Sequence, residues 1–210
     1  MTMRPYDNIM VIGSVIFLAF IFYFTSFSSL VYNDYFYTSL FEQTNVDVQK
    51  SNVLTKDLLI YFRNSDYSIP AIETLTPDEN SHIKDVKIII NNVLRAFYLI
   101  IIFFALVLFF AKNKQKVFFY GGILGIILPF ILLFLNFSFV FTVFHQILFP
   151  QGNWIFPENS ALVSAYTFDF FRLFALSIFL SGEFISVLCV ISATVSKYAK
   201  NHLKQGGMEW

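Results

Sequence analysis

Charge is scarce in this chain and cysteine is nearly absent. Of 210 residues only 13% are Asp, Glu, Lys or Arg, against about 25% in soluble globular proteins. Fourteen basic side chains balance fourteen acidic ones, so no electrostatic footprint for nucleic acid exists and nucleic acid is excluded as a bulk partner. The one cysteine, Cys189, sits inside an apolar run. That excludes a disulfide framework, a cysteine-based zinc site and a two-cysteine redox relay. G-x-S-x-G, H-E-x-x-H and Walker-loop motifs are missing, and no His is followed after four intervening residues by Asp. Internal repeats and low-complexity segments are also absent.

Apolar residues fill the chain instead: 57% are hydrophobic and 20% aromatic. Four runs reach the roughly 20 residues that cross about 30 Å of hydrocarbon. They are Ile9 to Val31, Val93 to Ala111, Val117 to about Phe141, and Leu173 to Val195. The first is longer than the core of a secretory signal, and no small-x-small cleavage site follows it, so it reads as a retained helix. Lys112, Lys114 and Lys116 crowd the second connection, and Lys197, Lys200 and Lys204 follow the last run. The positive-inside rule then puts both termini in the cytoplasm and the segments Tyr32 to Asn92 and Phe144 to Arg172 outside. The expected architecture is an all-α, multi-pass integral protein of the cell membrane. A single membrane domain, 1–210, would hold four transmembrane helices (9–31, 93–111, 117–141, 173–195), a small helical extracytoplasmic cap (32–92) and an external loop (144–172).

Within the cap, Leu54, Leu58, Tyr61 and Phe62 recur at i, i+4, i+7 and i+8, giving a helix over 45–63 with one apolar face, expected to lie on the membrane interface. A polar break spans Asn64 to Pro70. Thr76-Pro77-Asp78-Glu79 then has a capping Thr, Pro at the first helical position and Glu at the third. Nothing interrupts the helical pattern from Pro77 through Ala111, so one long helix should run from the cap into the second span. Pro129 should kink the third span. Glu183, in the middle of the fourth, should face the bundle interior as a structural group held by a residue such as Asn136.

Two histidines are left to carry chemistry, His82 and His145, since His202 falls in the solvated C-terminal tail. His82 and Asp85, at i and i+3, share a helix face, so Asp85 is placed to accept from one imidazole nitrogen and set the tautomer of the other. An interfacial His beside an unrelated solvated Asp has the same spacing. His145 opens the stretch Phe144-His145-Gln146-Ile147-Leu148-Phe149-Pro150-Gln151-Gly152-Asn153-Trp154-Ile155-Phe156-Pro157. Pro150, Gly152 and Pro157 fix a turn-rich loop, and its aromatics suit headgroup depth, where a lipid ester could rest beside His145. An aromatic belt around a tight turn accounts for Trp154 and the Phe residues but not for the His.

That loop resembles the F-H-x-x-F-F-P-x-G-N-W-x-F-P signature of the lipoprotein intramolecular transacylase (Lit) family of four-span membrane proteins, and His82-Ile83-Lys84-Asp85-Val86-Lys87 resembles its H-x-x-D-V-K element. The two motifs stand in the family order, and the span count and large first external segment are compatible with it. After the second motif the family often has a Leu-Phe-Pro-Glu-like stretch; this chain reads Ala165-Tyr166-Thr167-Phe168-Asp169-Phe170-Phe171 instead. The resemblance implies that His82 and His145 are the catalytic pair on the outer face. It implies movement of the sn-2 acyl chain of a diacylglyceryl lipoprotein to the α-amino group of its N-terminal cysteine.

Such a reaction needs an ammonium of pKa near 8 deprotonated, an oxyanion stabilised and a leaving glycerol oxygen protonated. Two histidines suit the proton transfers near neutral pH without metal or cofactor. On this reading His145 has the main acid/base role and His82, oriented by Asp85, assists. Asn153 is either an oxyanion donor or a turn former. Trp154, Arg95 and Arg172 are placed as substrate contacts, the two arginines to draw in headgroups or carbonyls unless they are snorkelling anchors. The partners would be diacylglyceryl-modified lipoproteins and membrane lipids. Two rival readings are a metal-dependent membrane lipid hydrolase built on His82, Asp85 and His145, and a lipid- or lipoprotein-binding membrane protein without catalysis.

Overall fold

The computed structural model describes residues 5–64, 75–133 and 136–205, and among them the regular elements are all helices, with no strand. The helices are α1 (Pro5–Leu30), α2 (Asp34–Glu42), α3 (Val48–Arg63), α4 (Pro77–Phe110), α5 (Lys114–Leu133), α6 (Phe137–Leu148), α7 (Ala161–Ala165) and α8 (Phe168–Gln205). Three of them, α1, α4 and α8, are long and apolar enough to cross a membrane. The expected polar break lies, apart from Asn64, outside the described residues. The long helix expected from Pro77 is present as α4, 34 residues or about 50 Å at 1.5 Å per residue.

The expected third span is not one helix. α5 contains Pro129 and ends at Leu133, and Asn136 starts a new helix, α6, by accepting from the backbone N–H groups of Ser138 and Phe139. The Asn136 side chain is therefore a cap, not the partner proposed for Glu183. At 12 residues α6 rises about 18 Å, too short to cross the hydrocarbon.

The helices sort into two compact units. The first gathers residues 1–27, 96–134 and 178–210. Its core joins Leu18 and Phe22 of α1 to Val117 of α5, with Phe104, Leu108, Ile185 and Cys189 packed around them. Backbones come close here because α5 is glycine-rich: a Cβ at Gly125 would collide with the Ser186 hydroxyl, and one at Gly122 would stand 2.9 Å from the Ser186 carbonyl. Pro129 has no N–H to give the carbonyl of Gly125 four residues earlier. The Tyr23 hydroxyl donates to that carbonyl at 2.5 Å and replaces the missing bond.

The second unit gathers residues 28–95 and 135–177, nearly the two segments read as external. α2, which the sequence pattern did not announce, starts at an Asn33 cap that accepts from Phe36 N–H. α3 starts at Val48 behind an Asp47 cap, three residues later than expected from the apolar pattern. Its apolar face is covered by the chain itself. Leu54, Leu58, Leu59 and Phe62 pack against Leu75, Ile83, Leu162 and Ala165, each fully buried side chain contributing about 1.5–3 kcal/mol. The apolar face from which the interfacial position of this helix was expected is packed against α7, supplied by a segment about 100 residues further on.

Candidate functional site

His82 lies in the second turn of α4 and His145 in the last turn of α6, and the second unit brings their rings to 6.4 Å between centroids, 18° from parallel. A ring nitrogen stands little more than an ångström from its centroid, so the two imidazoles do not hydrogen-bond each other. Their separation suits two groups acting on different atoms of one substrate.

The protonation pattern of His145 follows from helix geometry. Its Nδ1 is 2.8 Å from the carbonyl of Phe141, one turn earlier. A carbonyl oxygen can only accept, so Nδ1 carries the proton and the neutral ring keeps its lone pair on Nε2. The ring is buried and clasped by Phe141 at 4.1 Å, Trp154 at 4.9 Å and Phe149 at 5.6 Å. Burial pushes its pKa below the ordinary imidazole value, with the Phe141 carbonyl opposing.

His82 packs against Phe149 at 4.4 Å and Phe156 at 5.5 Å. Burial pushes its pKa down to about 4; the neighbouring His145 adds to the shift and Asp85 opposes it. At neutral pH this ring is uncharged. Its Nδ1 is buried without a hydrogen-bond partner among the described residues.

Asp85 therefore does not orient His82 in the way the i, i+3 spacing suggests. Its Oδ2 accepts from the side-chain amides of Gln151 at 2.8 Å and Asn153 at 2.7 Å. The Asn153 amide also donates to the Ser81 hydroxyl at 3.1 Å, and its oxygen accepts from Gln151 at 3.0 Å. Both Asn153 N–H groups are thus engaged here, and the side chain clamps the loop to the helix. The clamp grips a β-turn over 149–152, closed by Gly152 N–H to Phe149 carbonyl at 3.0 Å, with Pro150 at its second position. Gly152 has φ +82°, which a side chain would strain.

Trp154 stands beside His145, where a substrate contact was expected. The two arginines do not join the pair. Arg95 is exposed on α4, 13 residues or about 20 Å along the helix from His82, and Arg172 is exposed and paired with Asp169 on its own helix at 3.1 Å. His82, Asp85 and His145 do not gather as ligands; among the described residues no three His, Cys, Asp or Glu side chains are placed to hold a metal. Gln151 and the Phe149 and Phe156 rings are site members that motif reading left unassigned. The Pro-Gln-Gly order of a turn was the available signal for the first.

The comparisons with known proteins give a family and a fold. The model of the family described as lipoprotein intramolecular transacylase Lit matches residues 8–171. The in meso structure of the membrane-integral lipoprotein intramolecular transacylase Lit from Bacillus cereus is similar in fold, with a TM-score of 0.73 at 22% identity over 95% of this chain and 98% of that one. Two variants of that Bacillus cereus protein, one with a histidine changed to arginine and one with a histidine changed to alanine, each match with a TM-score of 0.75 at 21% identity over 94% of this chain. They cover 94% and 96% of those chains. No curated protein sequence matches.

Proposed function

The chain belongs to the lipoprotein intramolecular transacylase family, and on that premise we propose that it moves the sn-2 acyl chain of a diacylglyceryl lipoprotein to the α-amino group of the same molecule's N-terminal cysteine. The observation that carries the reading is the bond from His145 Nδ1 to the Phe141 carbonyl, which leaves Nε2 as the lone-pair nitrogen beside a second, neutral imidazole. The amine nitrogen attacks the ester carbonyl carbon while His145 Nε2 takes an amine proton. The tetrahedral intermediate collapses, the bond from carbonyl carbon to glycerol oxygen breaks, and His145 returns the proton to that oxygen. One ester becomes one amide and one free hydroxyl, so no co-reactant is needed.

His82 assists as a neutral ring, donating a hydrogen bond to the oxyanion or steadying the amine, a role its pKa of about 4 supports. Donor and acceptor belong to one molecule, so much of the proximity comes from the substrate, and the protein must hold ester and amine in near-attack geometry. The lysines flanking the spans favour cytoplasmic termini, with the histidine pair on the outer face, where a lipoprotein's acyl groups lie in the leaflet.

Intramolecular transfer makes an isomer, so intact mass does not report it. The test expresses the chain in a bacterium whose lipoproteins are diacylglyceryl-modified with a free amino terminus, and fragments the N-terminal lipopeptide by tandem mass spectrometry. Wild type should place one acyl chain on nitrogen and leave a monoacylglyceryl thioether. His145→Ala and His82→Ala at matched abundance should leave the amine free. A wild-type lipopeptide that stays unchanged despite good expression would overturn the reading.

A further inference from the structure

Glu79 precedes His82 by one helical turn on α4 and is 1% exposed. A carboxylate so deep is tolerated only if donors surround it. Its Oε2 accepts from the backbone N–H and the hydroxyl of Thr76, each at 2.9 Å, and its Oε1 accepts from the backbone N–H of Leu162 at 3.0 Å. The Ser160 side chain adds a further hydrogen bond. The Thr76 contacts belong to the cap of α4, which needs neither burial nor the second oxygen. The others come from a segment 83 residues downstream, the start of α7, directly after the His145 loop.

Glu79, His82 and Asp85 follow one another at intervals of three residues and so keep to one side of α4. Asp85 takes Gln151 and Asn153; Glu79 takes Ser160 and Leu162. The segment between these anchors is thus tied to α4 one turn before and one turn after His82. It carries Trp154, which packs on His145, and Phe156, which packs on His82.

We propose that Glu79 is a positioning residue for the histidine pair: by tying Ser160 and Leu162 to α4 it holds Trp154 against His145 and Phe156 against His82, and so sets the spacing of the two imidazoles. The inference rests on the transacylase reading, in which both rings act on one bound ester and amine. Both carboxylate oxygens are acceptors in use, so an amide, which turns one of them into a donor, must oppose a donor already present. Small misplacements of this kind lower rates by about 10²-fold.

The experiment uses the full chain, purified and reconstituted with Trp210→Phe, so that Trp154 is the one remaining tryptophan. Its emission, quenched by a protonated imidazole 4.9 Å away, follows the titration of His145. Glu79→Gln in this background should lower acyl transfer at least tenfold per folded molecule and move the emission midpoint up toward the ordinary imidazole value as the loop loosens. Ser160→Ala, which removes the Ser160 hydrogen bond to Glu79 together with the α7 cap on Val163 N–H and leaves the Thr76 cap intact, should move both readouts the same way by less, and serves if Glu79→Gln does not fold. An unmoved midpoint with activity falling only in proportion to folded protein would reduce Glu79 to a cap and overturn the proposal. A shifted midpoint in a background whose parent transfers no acyl chain would keep the positioning role and sink the transacylase reading instead.

Discussion

A side-chain bond to a carbonyl one turn back decides which nitrogen of His145 carries the proton. With Nδ1 held as a donor, His145→Gln keeps a polar group of similar reach but removes the proton acceptor. Acyl transfer should fall by about 10²–10⁴-fold, the usual worth of a general acid/base, while membrane abundance stays level. His82 carries a second, thermodynamic prediction. Its folded pKa is about 4 against about 6.5 for a free imidazole, so as pH falls the unfolded chain takes up the proton first. Stability should be full above about pH 6.5, decline between about 6.5 and 4, and level off below. Thermal midpoints from pH 7.5 to 4.5 should show that slope in wild type and a shallower one in His82→Gln; equal slopes would remove His82 as its source. Burial pushes the Glu79 carboxyl up, but its hydrogen bonds outweigh that and leave it below the usual carboxylate range, so its own loss begins at lower pH. The histidines were legible from their motifs. Asp85 was legible as a neighbour but not as a clamp, because i, i+3 spacing says which face a carboxylate occupies and not which donor reaches it first.

At the scale of the element, local signals with local partners were readable and distant partners were not. The Thr76 to Glu79 capping box predicted the start of α4, and its bonds are those expected. The face of α3 was readable as apolar, but Leu162 and Ala165 cover it from a segment that no periodicity connects to it. Pro129 is the clearest case. The sequence shows a missing donor inside an apolar run, and the structure supplies Tyr23, 102 residues away, to the orphaned Gly125 carbonyl. Tyr23→Phe should therefore cost about 1–3 kcal/mol, the penalty of a buried acceptor left bare. Pro129→Ala restores the backbone N–H, so the same Tyr23→Phe change should cost clearly less in that background. A double-mutant cycle by denaturant unfolding in detergent checks this; equal costs in both backgrounds would show that Tyr23 acts through something other than this carbonyl.

For the whole molecule, hydropathy and loop charge divided the chain almost as the structure does: the segments read as external, 32–92 and 144–172, fall within the compact unit formed by 28–95 and 135–177. What hydropathy could not give was the division of the third run into α5 and α6, since Phe, Ile and Leu continue through it and the break rests on Pro129 and on Asn136, whose capping needs a conformation to be seen. The direction of insertion is an expectation from lysine placement, and it bears on the proposed function, in which a lipoprotein's glyceryl ester is reached from only one side of the membrane. Cys189 is the sole cysteine, so Cys189→Ser gives a blank background for site-directed labelling. Gln49 at the start of α3 and Lys200 near the end of α8 are both exposed. In intact spheroplasts a membrane-impermeant maleimide should label Gln49→Cys and spare Lys200→Cys until the membrane is opened. The reverse pattern would put His82 and His145 on the cytoplasmic side, away from the acyl groups of exported lipoproteins, and the substrate would then have to be an ester presented by the inner leaflet.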